Sequence, residues 1–163
     1  MRLKIAGITN DSIVDGPGLR LSVFAQGCPH NCRGCHNPET HDPHGGNYID
    51  VDEIIEKVRK NPLLKGITLS GGEPFMQVDA MSDLAKKARG MGLDVIIYTG
   101  YTWNALMADE AFMPLVNEAD YIVDGRFELE LRTLDRPFVG SSNQRVIDVK
   151  KSVETGEVVL HKF

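Results

Sequence analysis

The sequence predicts an α/β protein, a partial, open (β/α) barrel with mainly parallel strands in one domain spanning residues 1–163. Three observations predict it. Short apolar runs such as Ile67–Leu69 and Val95–Ile97 suit strands buried on both faces. These runs alternate with amphipathic stretches of helical length, the pattern of βαβ units. The chain has 163 residues, whereas a closed eight-unit barrel usually needs about 250.

The elements follow in order. Leu3–Ile8 reads as a strand. The turn Asp15-Gly16-Pro17-Gly18 leads to a second strand, Leu19–Ala25. Gln26–Asn47 is polar and rich in proline and histidine, and structureless segments of that length are usually functional or disordered. Asp50 can cap a helix over Val51–Lys60 that puts Ile54, Ile55 and Val58 on one face. Gly66–Ser70 is a buried strand. A helix over Asp79–Arg89 can end at Gly90 and Gly92, and the strand Leu93–Tyr98 follows. Trp103–Val116 is helical with an interruption near Pro114. Asp120–Val123, Arg145–Val149 and Val158–Leu160 are the late strands, with a turn at Thr155-Gly156-Glu157. Gly71-Gly72-Glu73-Pro74, Thr99-Gly100 and Asp124-Gly125-Arg126 each follow a parallel strand, and the polar segment follows Ala25. Open α/β sheets and barrels bind ligands at such strand ends, so four segments should converge on one mouth.

Composition narrows the function classes. The net charge of −5 gives no footprint for nucleic acid. No apolar run approaches the ~18 residues of a membrane span, and the N-terminus lacks the marks of a signal peptide. The expectation is a cytoplasmic protein without membrane or nucleic-acid partners. All three cysteines fall within eight residues. An odd, clustered set does not make a disulfide framework, and in a reducing compartment it points to metal or to chemistry.

The cluster reads Cys28-Pro-His-Asn-Cys32-Arg-Gly-Cys35. One short loop therefore brings three thiolates around one centre. A cubane iron–sulfur cluster has four irons, with cysteine thiolates as their usual ligands. Three cysteines leave one iron without a protein thiolate, following the open-site logic of catalytic metals. The residues alone leave an alternative open: three cysteines and one of His30, His36, His41 or His44 could close a zinc site.

Cys28-x3-Cys32-x2-Cys35 with Gly71-Gly72-Glu73-Pro74 after a strand resembles the radical S-adenosylmethionine superfamily. Asp15-Gly16-Pro17-Gly18-Leu19-Arg20 is similar to the glycyl-radical-enzyme activases. Gly34-Cys35-His36-Asn37-Pro38 and the late Gly140-Ser141-Ser142-Asn143-Gln144-Arg145 resemble the activating proteins of anaerobic ribonucleotide reductase. The resemblance covers nearly the whole chain and implies the superfamily's partial barrel. It also implies a [4Fe–4S] cluster held by Cys28, Cys32 and Cys35, with S-adenosylmethionine on the open iron. Reductive cleavage would give a 5′-deoxyadenosyl radical that takes a hydrogen from a glycine of the large anaerobic ribonucleoside-triphosphate reductase subunit. An electron donor such as a flavodoxin would supply the reductant.

The same resemblance implies site roles. Gly34, Cys35 and His36 lie beside the adenine, largely through backbone. Gly71 and Gly72 admit a close approach to the ligand. Glu73 accepts a hydrogen bond from the methionine ammonium, strengthened by its charge. By position, Asp124 and Arg126 stand where a ribose or carboxylate could be held, or they form a surface salt bridge. Asp15–Gly18 is either a turn or a wall of the path for the partner glycine. Tyr98, Thr99 and Trp103 read as packing, and His41 and His44 as solvated. Ser141–Arg145 reads as a loop cap or as a ligand or partner contact. The enzymatic rivals are an activase of pyruvate formate-lyase and the deazaguanine-forming branch. Pyruvate formate-lyase activases are generally longer, and some carry further cysteines, whereas no cysteine follows Cys35. The non-enzymatic rival is a zinc-stabilised binding module.

Overall fold

The computed structural model describes residues 1–163. Seven strands form one sheet: β1 (Arg2–Ser12), β2 (Arg20–Ala25), β3 (Asn47–Asp50), β4 (Gly66–Gly71), β5 (Asp94–Tyr98), β6 (Tyr121–Asp124) and β7 (Arg145–Asp148). Their order is β3-β1-β2-β4-β5-β6-β7. The four strands β2, β4, β5 and β6 run parallel. β1 joins β2 and β3 antiparallel, and β7 joins β6 antiparallel. The fold is thus mixed α/β with a parallel centre and antiparallel flanks.

The helices are α1 (Val51–Arg59), α2 (Val78–Gly90), α3 (Trp103–Met107), α4 (Met113–Val116) and α5 (Val149–Thr155). As expected, Asp50 caps α1, its carboxylate accepting from Asp52 N–H. The predicted Trp103–Val116 helix breaks earlier than Pro114, after Met107. Asp109 caps a new turn there, and Pro114 sits in the first turn of α4. That is a position where a missing N–H costs nothing. The late strand Val158–Leu160 is reduced to a single bridge between Leu160 and Ile147. Two elements were not anticipated: the edge strand β3 and the short helix α5, capped by Asp148 and closed by Gly156 at φ +75°.

Strand alternation sorts the side chains. Leu21, Val23, Ile67, Leu69, Val95, Ile97 and Ile122 face the helices and form the main core with Ile54, Met81, Leu84 and Leu106. The intervening positions make a second face. It is apolar at one side, with Ile96, Val123 and Val146, and polar at the other, with Arg20, Ser22 and Thr68 fully buried. The Asp15–Gly18 turn folds onto this polar face. The Asp15 carboxylate accepts from Ser12 and Ser22, and its carbonyl accepts from Thr68 Oγ.

Arg20 is the charge buried in that face. It donates to Thr68 Oγ at 2.8 Å, to the Ile67 carbonyl at 2.8 Å, to the Pro17 carbonyl at 3.1 Å and to Asp94 at 2.5 Å. The guanidinium fork satisfies four acceptors from the turn, β4 and β5 at once. Removing one member of a buried hydrogen-bonded pair strands the others. Arg20→Ala is predicted to lower unfolding stability by about 3 kcal/mol in urea titration. A loss below about 1 kcal/mol, the range of an exposed pair, would contradict this account of the polar face.

Candidate active site at the strand ends

β2 ends at Ala25, and the cysteine loop begins at once. Gly27 N–H donates to the Thr40 carbonyl at 2.6 Å and Cys28 N–H to that of His41 at 3.2 Å, closing the loop's base. Asn31, at φ +51°, turns the chain between Cys28 and Cys32. All three cysteines are free and half-buried. Burial pushes the Cys28 thiol above its ordinary value. The main-chain N–H groups of His30 and Asn31 oppose that shift, and the nearby Glu73 charge adds to it. Burial also raises Cys32, opposed by the Phe127 N–H and the Arg126 charge. Asn37 N–H donates to Cys35 Sγ at 3.4 Å. Each sulfur is therefore met by backbone donors, the setting that tunes clusters ligated by thiolate.

The predicted convergence of strand-end segments is observed. A cavity of about 520 Å³ is lined by Cys28, Cys32, Cys35, Gly71, Gly72, Thr99, Gly100 and Gly125, among others. His36 also lines it, its ring 4.9 Å from that of Phe127. Asp15 and Tyr98 form part of its wall. Gly34 stands outside, at φ +72° against Leu129.

The glycine pair, which lines the cavity, also does work between strands. Gly72 N–H donates to the Ala25 carbonyl and Glu73 N–H to that of Gly27, both at 2.8 Å. A Cβ on Gly71 would meet the Phe24 and Ala25 backbone at 2.6 Å, and one on Gly72 would meet the Gly27 carbonyl oxygen at 2.4 Å. The close approach that demands glycine is between β4's end and β2's end, not only toward a ligand.

Glu73 departs further from expectation. Its carboxylate is fully buried and does not line the cavity. It accepts from Thr99 Oγ at 2.8 and 2.9 Å, Gly100 N–H at 2.8 Å and Phe75 N–H at 3.0 Å, and it lies 2.6 Å from His30 Nε2. Its acceptor capacity is filled by protein, so a direct bond to an ammonium is not what the side chain is arranged to make. Glu73→Ala would leave these donors bare in the interior. The predicted loss is about 3 kcal/mol or more, read as a fall in thermal unfolding temperature. An unchanged temperature would contradict the hub role.

Asp124 and Arg126 also stand apart from the main cavity. Asp124 is buried, caps α3 by accepting from Trp103 N–H at 2.8 Å, and takes Nε and Nη2 of Arg145 at 3.1 and 2.7 Å. Both residues line a neighbouring cavity of about 560 Å³ with Asn143 and Arg145. The Gly140–Arg145 segment is a brace. Gln144 donates to the Gly125 carbonyl and accepts from Gly140 and Ser141 N–H, while Asn143 donates to the Arg126 carbonyl. Sequence reasoning missed three features of the site: the His30–Glu73 link, the edge of Tyr101 on His30, and Phe127 beside Cys32. Only the position of His30 between two cysteines hinted at any of them.

No three His, Cys, Asp or Glu side chains converge as a single metal ion requires. The thiols instead share one cavity wall, which suits a cluster whose ligands are spread over several irons. A family model described as a 4Fe-4S single cluster domain matches residues 14–147. The chain is 35% identical over 142 residues to the anaerobic ribonucleoside-triphosphate reductase-activating protein of Escherichia coli K12, covering 82% of this chain and 91% of that one. The chain belongs to this family of radical S-adenosylmethionine enzymes. A phage T4 protein of the same name is 32% identical, with 82% and 86% covered. The pyruvate formate-lyase 1-activating enzyme of E. coli K12 is 30% identical, covering 91% of this chain but 61% of the relative. The crystal structure of QueE from E. coli aligns over 63% of this chain and 54% of that chain, with a TM-score of 0.49 and 16% identity.

As a member of the family, the chain is an enzyme that uses a [4Fe–4S] cluster and S-adenosylmethionine. Cys32→Ala is predicted to abolish cluster assembly, measured as iron per chain after anaerobic reconstitution. Retention of about four irons, the cubane complement, would remove Cys32 from the ligand set.

Proposed function

We propose that the chain activates an anaerobic ribonucleoside-triphosphate reductase by generating a glycyl radical on its large subunit. The observation that carries this reading is likeness along the chain. The Escherichia coli K12 reductase-activating protein is 35% identical over 82% of this chain, whereas the pyruvate formate-lyase 1-activating enzyme of the same organism is 30% identical over 91% of it.

In this reading Cys28, Cys32 and Cys35 hold the cluster, and the fourth iron is left to S-adenosylmethionine. A bound, reduced cluster would supply the one electron that cleaves the sulfonium carbon–sulfur bond of S-adenosylmethionine to methionine and a 5′-deoxyadenosyl radical, which would take the glycine hydrogen. The protein's contribution is binding, orientation and exclusion of water. Gly71, Gly72, Cys35 and His36 face the cofactor, Thr99 and Gly100 complete that wall, and Gly34, outside the cavity, serves through the turn it makes before Cys35. Glu73 acts one step removed, by holding that wall in place. Asp124 and Arg126 border the adjoining cavity and meet the cofactor's periphery or the partner. The open sheet is read as one partial (β/α) barrel of the radical S-adenosylmethionine type, a single domain over residues 1–163. A flavodoxin-like donor in a reducing, cytoplasmic setting supplies the electron. No helix is long and apolar enough to cross a membrane.

The test mixes the reduced enzyme with S-adenosylmethionine and either the reductase or pyruvate formate-lyase. A glycyl doublet in the EPR spectrum is expected with the reductase. A doublet with pyruvate formate-lyase alone would overturn the choice of partner.

A further inference from the structure

His30 is the one histidine of the cysteine loop that is buried. Its main-chain N–H meets the Cys28 thiol, and its Nε2 lies 2.6 Å from Glu73 Oε1. The ring stands edge-on to Tyr101 at 4.6 Å. It lies so close to Gly100 that a Cβ there would come within 2.3 Å of its Cδ2. Between Pro29 and His36, this side-chain bond is the one that reaches the strand ends. The loop's other outside tie in that stretch runs from Phe127 N–H to Cys32.

The second ring nitrogen is informative. Nδ1 is buried with no protein partner, and leaving such an atom unpaired is unfavourable. An apolar side chain could fill the same space without that cost. What the imidazole alone supplies is the bond from Nε2 to Glu73. Glu73 in turn accepts from Thr99 Oγ and Gly100 N–H, and both of those residues line the cavity.

We propose that His30 is a positioning residue for S-adenosylmethionine. Its hydrogen bond to Glu73 ties the Cys28 end of the cysteine loop to the Gly71–Glu73 turn and to Thr99–Gly100. The distance between the cluster ligands and the backbone that faces the cofactor is thereby fixed. The proposal rests on the cofactor assignment and not on which reductase is activated.

The test compares wild type with His30→Phe, which keeps a ring without a donor, and His30→Gln, whose amide can still donate to Glu73. Each is reconstituted anaerobically. Iron per chain, S-adenosylmethionine affinity and thermal unfolding temperature are then measured. His30→Phe is expected to retain iron but bind S-adenosylmethionine roughly tenfold or more weakly, the scale of a lost hydrogen bond to a charged group. His30→Gln should restore most of that affinity. If His30→Phe does not fold, His30→Asn gives the same contrast, its amide being one methylene too short to reach Glu73. Iron lost in the Phe and Asn variants but kept in His30→Gln supports the same tie, acting at the ligands themselves. Wild-type affinity in His30→Phe with only a lower unfolding temperature overturns the proposal. Equal loss in the Phe and Gln variants overturns it too. A wild-type chain that binds no S-adenosylmethionine overturns the cofactor assignment and this proposal together.

Discussion

A carboxylate taken wholly out of water must find donors within the protein, and Glu73 finds them on segments from three different strands. His30 comes from the loop after β2, Phe75 N–H from the turn after β4, and Thr99 and Gly100 from the end of β5. Those are the segments that line the cysteine cavity. The constraint therefore acts in two directions. The carboxylate is stable only if the three ends are assembled, and the ends are held in register only while the carboxylate is there. The glycine pair before it is a consequence. Gly71 and Gly72 must pass within backbone contact of Phe24, Ala25 and Gly27 for Glu73 to arrive beneath the loop.

A second buried charge closes the opposite end of the parallel strands. Arg20 at the start of β2 joins Pro17, Ile67, Thr68 and Asp94. Between the two charges, the face turned away from the helices is polar along β2 and β4, and the Asp15 turn lies across it. The sheet thus has one face built for stability, packed with Leu, Ile and Val against α1 and α2. The other face leads to the cavity.

Much of this was legible in the sequence, for physical reasons. The parallel strands are short apolar runs with clear breaks, and their ends carry glycine. The cysteine spacing alone left a cluster and a zinc site both open, and the family match supports the cluster. β3 was not legible because Asn47–Asp50 is a short edge strand with little burial, so no apolar period marks it. α5 buries only Val149 and Ser152, too few for a helical stripe. Side-chain direction was the larger gap. Glu73 was read as a ligand contact from the resemblance of its Gly-Gly-Glu-Pro motif, and Asp124 as either a ligand contact or a salt-bridge partner from its place after a strand. The three-dimensional partners that consume them, His30, Thr99 and Gly100 for one and Trp103 and Arg145 for the other, lie 21 to 43 residues away. No local pattern encodes such a pairing.

The central claim is that three thiolates on one loop leave an iron open to S-adenosylmethionine at the mouth of the sheet. The most direct test is the EPR spectrum of the anaerobically reconstituted, reduced protein recorded with and without S-adenosylmethionine. The account predicts the signal of a reduced [4Fe–4S] cluster whose g-values and line shape change when S-adenosylmethionine is added. Identical spectra in the two samples, or a colourless protein holding one tightly bound zinc, would contradict it.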